Sequence, residues 1–437
     1  MKVTSHVERD FFVKKRINPS SIIFLLILVF IVAYIVTIFI LPNNITLITG
    51  EDYNLSFISP LFLKASSDSK ILLLKNNSQK AMTAFENPYS LKAIDEGQAE
   101  IDLRMFGIIP VKTVQVRSIV NQQVLASGSP IGIKLKTDGI VIINVSSVIL
   151  EDGSKVSPAE KAGLLTGDII LKANGKDLGK IGDLIEIVEN SEGKPIKLVY
   201  KRKNTQYSTV ITPIKSGDDD KYRLGIWVRD SSAGIGTLTF VDPVNKVYGA
   251  LGHGINDIDT GSLLQVGSGE LLESSIQGIK KGIKGSPGEL EGDFLSRPRV
   301  IGDIKLNCDF GVFGNFNDTT NKKWGRPMQI GPHSMVHEGP ATILACIDGN
   351  EVKEYKIEIQ KISRLDLNST KNMVICITDE RLLKSTGGIV QGMSGSPIIQ
   401  DGRLVGAVTH VFINDPTRGY GVFIESMINK SNSLAKK

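Results

Sequence analysis

Residues Ile22–Leu41 read IIFLLILVFIVAYIVTIFIL, an uninterrupted apolar run without a charge. A helix rises 1.5 Å per residue, so ~20 apolar residues cross the ~30 Å hydrocarbon layer of a bilayer. Ahead of the run stand Lys2, Arg9, Lys14, Lys15 and Arg16 against Glu8 and Asp10. That charge bias keeps the N-terminus in the cytoplasm and sends the rest of the chain across. A cleaved signal peptide would have a core of ~7–15 residues and a small-residue cleavage site. This run is longer, and Pro42-Asn43-Asn44 follows it without an Ala-x-Ala pattern. The expectation is a cytoplasmic basic segment over 1–21, an uncleaved anchor over 22–41 and an extracytoplasmic remainder. The cytoplasmic His6 is thereby excluded from any site outside.

The chain has 437 residues, enough for two or three domains. Lys plus Arg is 51 and Asp plus Glu is 46, a net charge of +5 too small and scattered to indicate nucleic-acid binding. Apolar residues at 41% with 22% charged describe a packed globular protein. Cys308, Cys346 and Cys376 form no CxxC pair, which argues against a disulfide scaffold or a zinc ribbon.

Residues 42–124 read as a linker and an N-terminal β region, with clear apolar–polar alternation only in Ile109–Val116. Residues 125–215 read as a compact α/β module. Gly139–Val145 is rich in β-branched residues and is expected as a buried strand. Ser157-Pro158-Ala159-Glu160 has the signature of a helix start, and Gly163 can end that helix. Asp168–Ala173 is the next strand, with Asn174-Gly175 as its hairpin turn. Ile181, Leu184, Ile185 and Val188 recur at helical spacing, and two strands close the module.

The stretch SPAEKAGLLTGDIILKANGKDL (157–178) resembles a bacterial PDZ domain. The resemblance implies capture of an extended peptide as an added strand. It places the carboxylate-binding loop near Pro130–Leu135, where Lys134 stands in place of the usual glycine. A folded spacer without a ligand is the alternative.

Residues 216–437 consist mainly of short β-type runs and Gly-rich turns, which suggests a barrel or sandwich. Within them, Gly392-Met393-Ser394-Gly395-Ser396-Pro397 is similar to the Gly-x-Ser-Gly-x-Pro nucleophile loop of chymotrypsin-like proteases. That likeness implies a mainly β, chymotrypsin-like double-barrel domain with Ser394 as nucleophile. Flanking glycines permit the tight turn and close approach of substrate. The amides of Gly392 and Ser394 are the expected oxyanion donors. Ser396 is a second serine in the loop, at a position where glycine is usual.

A serine needs a base. His253 lies between two glycines at the end of an apolar run, and His410 lies in the strand-like GAVTHVF. His333 and His337 are four apart beside Glu338, but Gly331-Pro332 and Gly339-Pro340 break any longer helix and the pattern is not HExxH. Neither a metal nor another cofactor is expected. For the carboxylate, Asp379 competes with Asp257 and Asp259; the chain order His253, Asp379, Ser394 follows the chymotrypsin class and favours Asp379.

These blocks together resemble the sporulation serine peptidases named stage IV sporulation protein B. The likeness rests on the anchor, FGIIPVKTVQV (106–116), the PDZ-like block, YGALGHGINDIDTG (248–261) and TGGIVQGMSGSPIIQDGRLVGAVTHVFINDPTRGYG (386–421). It implies a triad of His253, Asp379 and Ser394. It also implies self-cleavage, with the PDZ domain governing that step and targeting. The expected partner is a regulatory membrane protein, cleaved between the two forespore membranes to release sigma-factor processing. Two other readings remain: an HtrA-type quality-control protease, in which the protease domain precedes the PDZ, and a non-catalytic PDZ scaffold.

Overall fold

The computed structural model describes residues 19–435 except 60, 78–85, 204, 258–260, 295, 297–298, 319–323 and 365. The basic segment ahead of the apolar run, with His6, and the rival carboxylate Asp259 lie outside the described residues. The chain divides into two compact units, Met1–Val120 and Asn121–Lys437.

In the first unit, helix α1 (Pro19–Ile40) is apolar on every face and long enough to cross a membrane. The region expected as part linker is a folded β domain. The strands Asn44–Ile48, Ile109–Ile119, Gly97–Met105 and Leu63–Ser66 form one sheet in that order. Asp52–Ile58, Glu86–Ala93 and Leu72–Asn76 form a second. Alternation in Gly97–Met105 and Ile109–Ile119 turns Ile101, Leu103, Val114 and Val116 inward, where Leu47, Tyr89 and Leu91 meet them.

The second unit holds the PDZ-like module and the C-terminal region. Two long strands join them. Pro130–Val145 and Ile226–Asp242 pair antiparallel along almost their full length, from Ile226↔Val145 to Thr237↔Pro130. One end of this ribbon belongs to the PDZ-like module and the other to the C-terminal region. The sequence reading separates these regions at 215/216, but the ribbon runs through both. At the PDZ end, Ile140 and Ile142 pack with Ile170, Leu184, Val188, Ile196 and Leu198. Ser157 caps the short helix α2 (Pro158–Lys161) by accepting from the Glu160 amide, and α3 (Ile181–Asn190) carries Leu184 and Val188. Asn174 (φ 49°) and Gly175 (φ 83°) form the left-handed hairpin turn their sequence calls for.

Beyond the ribbon, Gly339–Cys346, Val352–Ile362, Met373–Ile377, Asp415–Phe423, Arg403–Phe412 and Pro397–Gln400 close a six-stranded barrel around Ile343, Ile359, Ile375 and Val408. Helix α4 (Glu380–Thr386) caps one corner of it, and α5 (Ile424–Ala435) follows the last barrel strand. The other half of this region is built on the 13-stranded sheet that the ribbon traverses, around Ile131, Leu238, Tyr248 and Val312.

Asp168 anchors the PDZ-like module. It is 1% exposed, takes both Arg202 guanidinium bonds at 2.7 Å and accepts from the Leu165 amide. Arg202 also donates to the Gly163 carbonyl just beyond α2. Because Arg202 partly reaches solvent, Asp168→Ala is expected to lower stability by about 1–3 kcal/mol. Urea denaturation of the full chain measures it, and an unchanged midpoint would refute the anchoring role.

Candidate active site

Gly392 (φ 94°) and Gly395 (φ 97°) bracket Met393-Ser394 with two left-handed backbone positions. Met393 is fully buried in the barrel core, which leaves Ser394 on the opposite side of the turn, half-buried. Three carbonyls of the loop are held by one strand. The Thr237 hydroxyl donates to Gly392 O at 2.7 Å, the Thr237 amide to Ser394 O at 3.1 Å, and the Thr239 hydroxyl to Gly395 O at 2.8 Å. Among the described residues the amides of Gly392 and Ser394 donate to no backbone acceptor, so both remain available as oxyanion donors. Gly395 has no room for a side chain: a Cβ there would lie 2.2 Å from Thr237 O and 2.6 Å from the Leu251 amide. Ser396 is 0% exposed, and its hydroxyl has no hydrogen-bond partner among the described residues. Only Ser394 of the two serines reaches the surface.

The histidine segment abuts this loop. Leu251 (φ 70°) and Gly252 (φ 71°) are both left-handed. For a buried leucine that conformation costs about 1–3 kcal/mol and is the kind of strain that gathers at functional sites. The Leu251 amide donates to Thr237 O, the same residue that clamps the serine loop. A Cβ on Gly252 would lie 3.1 Å from the Thr409 side chain, and the Ser394 hydroxyl donates to Thr409 O at 2.7 Å. The next residue, His410, lies against His253, ring centroids 4.7 Å apart and planes inclined by 34°. Buried Asn307 fixes the chain after His253. It accepts from the Ile255 amide and donates to Ile255 O and Leu264 O.

His253 Nδ1 lies 2.8 Å from Gly254 O. A carbonyl only accepts, so Nδ1 carries the proton and Nε2 is the free base. Burial holds the His253 pKa below its ordinary value, with the Gly254 bond opposing. His410 is pushed down to about 4 by desolvation, with the neighbouring His253 and Lys371 adding to the effect. Both rings are therefore neutral at pH 7.

Asp379 is elsewhere. It is the N-cap of α4 and accepts from the Arg381 amide, the Lys356 amide and the Arg381 guanidinium. The Arg381 bonds, chiefly, hold its carboxyl far below the usual carboxylate range. Lys356 and Thr378 line an open groove of about 870 Å³ on the closed barrel, and neither His253, His410 nor Ser394 lines it. Among the described residues no hydrogen bond joins Asp379 to His253. The expected carboxylate–imidazole pair is not formed, because Asp379 belongs to the closed barrel and its oxygens are taken there. Asp257 is buried and paired with Arg229 at 3.1 Å. The two remaining histidines form separate pairs, His333 with Glu425 and His337 with Asp401, rather than one cluster.

The loop expected to capture a peptide carboxylate is also placed differently. Pro130–Leu135 lies inside the sheet. Ile131–Leu135 pairs with Ser232–Gly236 on one edge and with Gly269–Glu273 on the other. Neither edge is open to an added strand. Lys134 is thus a residue of an interior strand.

Thr237, Thr239 and Asn307 support the site but carry no local motif. Alternating threonines in a β-rich stretch are the only sequence sign of the first two.

A strained histidine turn, a half-exposed serine between left-handed glycines and two amides without a backbone acceptor among the described residues are the parts a serine hydrolase site on a mainly β scaffold requires. Comparison with known families agrees. The SpoIVB peptidase S55 family matches residues 220–428, and a PDZ domain family matches residues 150–202. Residues 220–428 are thus a SpoIVB-type S55 serine peptidase domain, preceded by a PDZ domain. A candidate zinc metalloprotease of Bartonella henselae is 36% identical over 91 residues, 21% of this chain. The matched segment is 24% of that relative's length. The solved PDZ domain of an SdrC-like protein from Listeria monocytogenes is 20% identical, covering 21% of this chain and 87% of that one with a TM-score of 0.17.

Two predictions follow from this geometry. Gly395→Ala should displace the Thr237 clamp and lower kcat on the order of 10²-fold, the scale of a lost oxyanion donor; peptide hydrolysis at the wild-type rate would contradict it. Because the His253 pKa is lowered, kcat/KM should fall on acidification only through a midpoint below about 6.5. A pH–rate profile with its acid limb above that value would show the base to be a different group.

Proposed function

We propose that the protein is a membrane-anchored serine endopeptidase in which Ser394 is the nucleophile and His253 the general base. The observation that carries this reading is the shared contact of both segments with Thr237, together with the two free amides of Gly392 and Ser394. At rest the Ser394 hydroxyl donates to Thr409 O. Rotation toward His253 Nε2 would let that nitrogen take the proton as Oγ attacks a peptide carbonyl. The Gly392 and Ser394 amides would then stabilise the oxyanion, and His253 would return the proton to the leaving amine. Gly254 O holds the imidazole in the required tautomer.

The triad role expected of Asp379 is supported by chain order and family likeness; its hydrogen bonds support a cap for α4 instead. The two roles separate in one variant. In a cap, Asp379→Ala lowers stability by about 1–2 kcal/mol and leaves kcat near normal. In a triad it lowers kcat by about 10⁴-fold. Our reading predicts the first result, in urea denaturation and peptide hydrolysis measured side by side.

The likeness to the sporulation family supports the finer role. The natural substrates are this chain itself and a regulatory membrane protein, cut outside the cytoplasm at the inner forespore membrane to activate sigma-factor processing. Helix α1 serves as the single span, with the N-terminus in the cytoplasm. A peptide ligand of the PDZ domain would add beside α3. There Ile226–Arg229 pairs on one edge with Val141–Val145 and Asp230 accepts from the Ile181 amide. Mass spectrometry of the N-termini generated by wild-type and Ser394→Ala protein tests the activity. Discrete new N-termini that vanish in Ser394→Ala are expected. Their persistence would end the Ser394 assignment, and scattered cleavage of unfolded proteins would favour a quality-control protease.

A further inference from the structure

The turn at the centre of the FGIIP motif plays no part in the peptidase chemistry, and its surface is unusual. Phe106, Ile108 and Ile109 are 65%, 77% and 44% exposed, and Phe62 beside them is 59% exposed. Four large apolar side chains at one end of a small β domain are an apolar patch with a purpose.

The same domain shows which way that end points. Tyr34 on α1 donates to Pro110 O at 2.9 Å. Lys112 donates to Ile38 O at 2.9 Å and Leu41 O at 2.6 Å, at the end of α1. Going from Lys112 back to Pro110 therefore moves along the helix from its end toward its middle. Tyr34 is ~10 Å from Leu41 along the axis at 1.5 Å per residue. Ile108 is ~13 Å from Lys112 at about 3.3 Å per strand residue. The turn thus lies level with the C-terminal half of α1, whose Ile35, Val36 and Phe39 are exposed.

The polar groups of this end are arranged for such a setting. The amides of Phe106, Gly107 and Ile108 are satisfied within the domain, by Phe62 O, Arg104 O and Met105 O. Hydrocarbon tolerates backbone only when it is satisfied internally. Lys64 and Arg104 pair across the strands at the base of the turn, and Lys112 stands at the end of α1. Lys112 sits at headgroup level when the turn is immersed, and Lys64 and Arg104, level with Pro110, reach toward that level along their stems.

We propose that Phe62 and the turn Phe106–Ile109 form a wedge inserted into the leaflet at the C-terminal end of α1, fixing the β domain against the bilayer. This rests on the reading of α1 as a membrane span. The wedge and the span share one lipid-facing surface, and the occupant is the acyl chains of the bilayer.

Full-length chain is reconstituted in phosphatidylcholine–phosphatidylglycerol vesicles as Ile108→Trp, Phe106→Trp, Ile31→Trp and Glu96→Trp. The unsubstituted chain supplies the Trp227 and Trp324 background. Glu96 is exposed at the opposite end of the strand Gly97–Met105. Nitroxide lipids quench tryptophan by depth, and acrylamide quenches from water. The expected result is blue-shifted emission at 106 and 108 with loss of intensity to shallow-acyl nitroxide, deep quenching at 31, and acrylamide quenching at 96. Quenching at 31 with water-like emission at 106 and 108 overturns the wedge alone. Absence of lipid quenching at 31 as well overturns the span and the wedge with it. A blue shift at 106 and 108 without nitroxide quenching shows a protein contact and overturns the lipid assignment.

Discussion

Thr237 holds the serine loop and the histidine segment of the candidate active site together. Its hydroxyl and amide bind two carbonyls of the serine loop, and its own carbonyl accepts from Leu251 next to the histidine. A loop with two left-handed glycines has many conformations in isolation. The clamp fixes the carbonyls of Gly392 and Ser394 on the strand, while the amides of these two residues donate to no backbone acceptor among the described residues. In the proposed mechanism they would be oxyanion donors preorganised before substrate arrives, which is where most of the value of such donors lies. Gly395 is the steric counterpart, since the strand approaches too closely for any Cβ.

Thr237 sits on Ile226–Asp242, whose first residues build the PDZ domain and whose later residues hold the serine loop. The PDZ domain and the peptidase share this ribbon within one compact unit, and its register shifts between Trp227 and Val228 and between Arg229 and Ser231. The arrangement also accounts for the closed edge at Ile131–Leu135, which the strand Val266–Glu273 covers.

Much of this was legible in the residues. The cap at Ser157, the turn at Asn174-Gly175 and the helix carrying Leu184 and Val188 follow from local rules, because each depends on neighbours in sequence. The serine loop was legible for the same reason: glycine spacing encodes backbone conformation directly. The carboxylate was not. Chain order favoured Asp379, but chain order does not say which barrel edge an aspartate faces, and Arg381, two residues on, takes its oxygens. The long ribbon was legible only in part: 139–145 is rich in β-branched residues, but the PDZ likeness made 130–135 a loop despite its alternation, and 231–237 (SSAGIGT) has loop composition. Pairing partners far apart in sequence, rather than strand propensity, make them strands.

The proposed catalysis requires activation of Ser394 by His253. Peptide mapping of full-length protein treated with a fluorophosphonate tests it most directly. A phosphonyl adduct confined to Ser394 and lost in His253→Ala is the predicted result. An adduct on Ser396, or labelling undiminished without the imidazole, would contradict it.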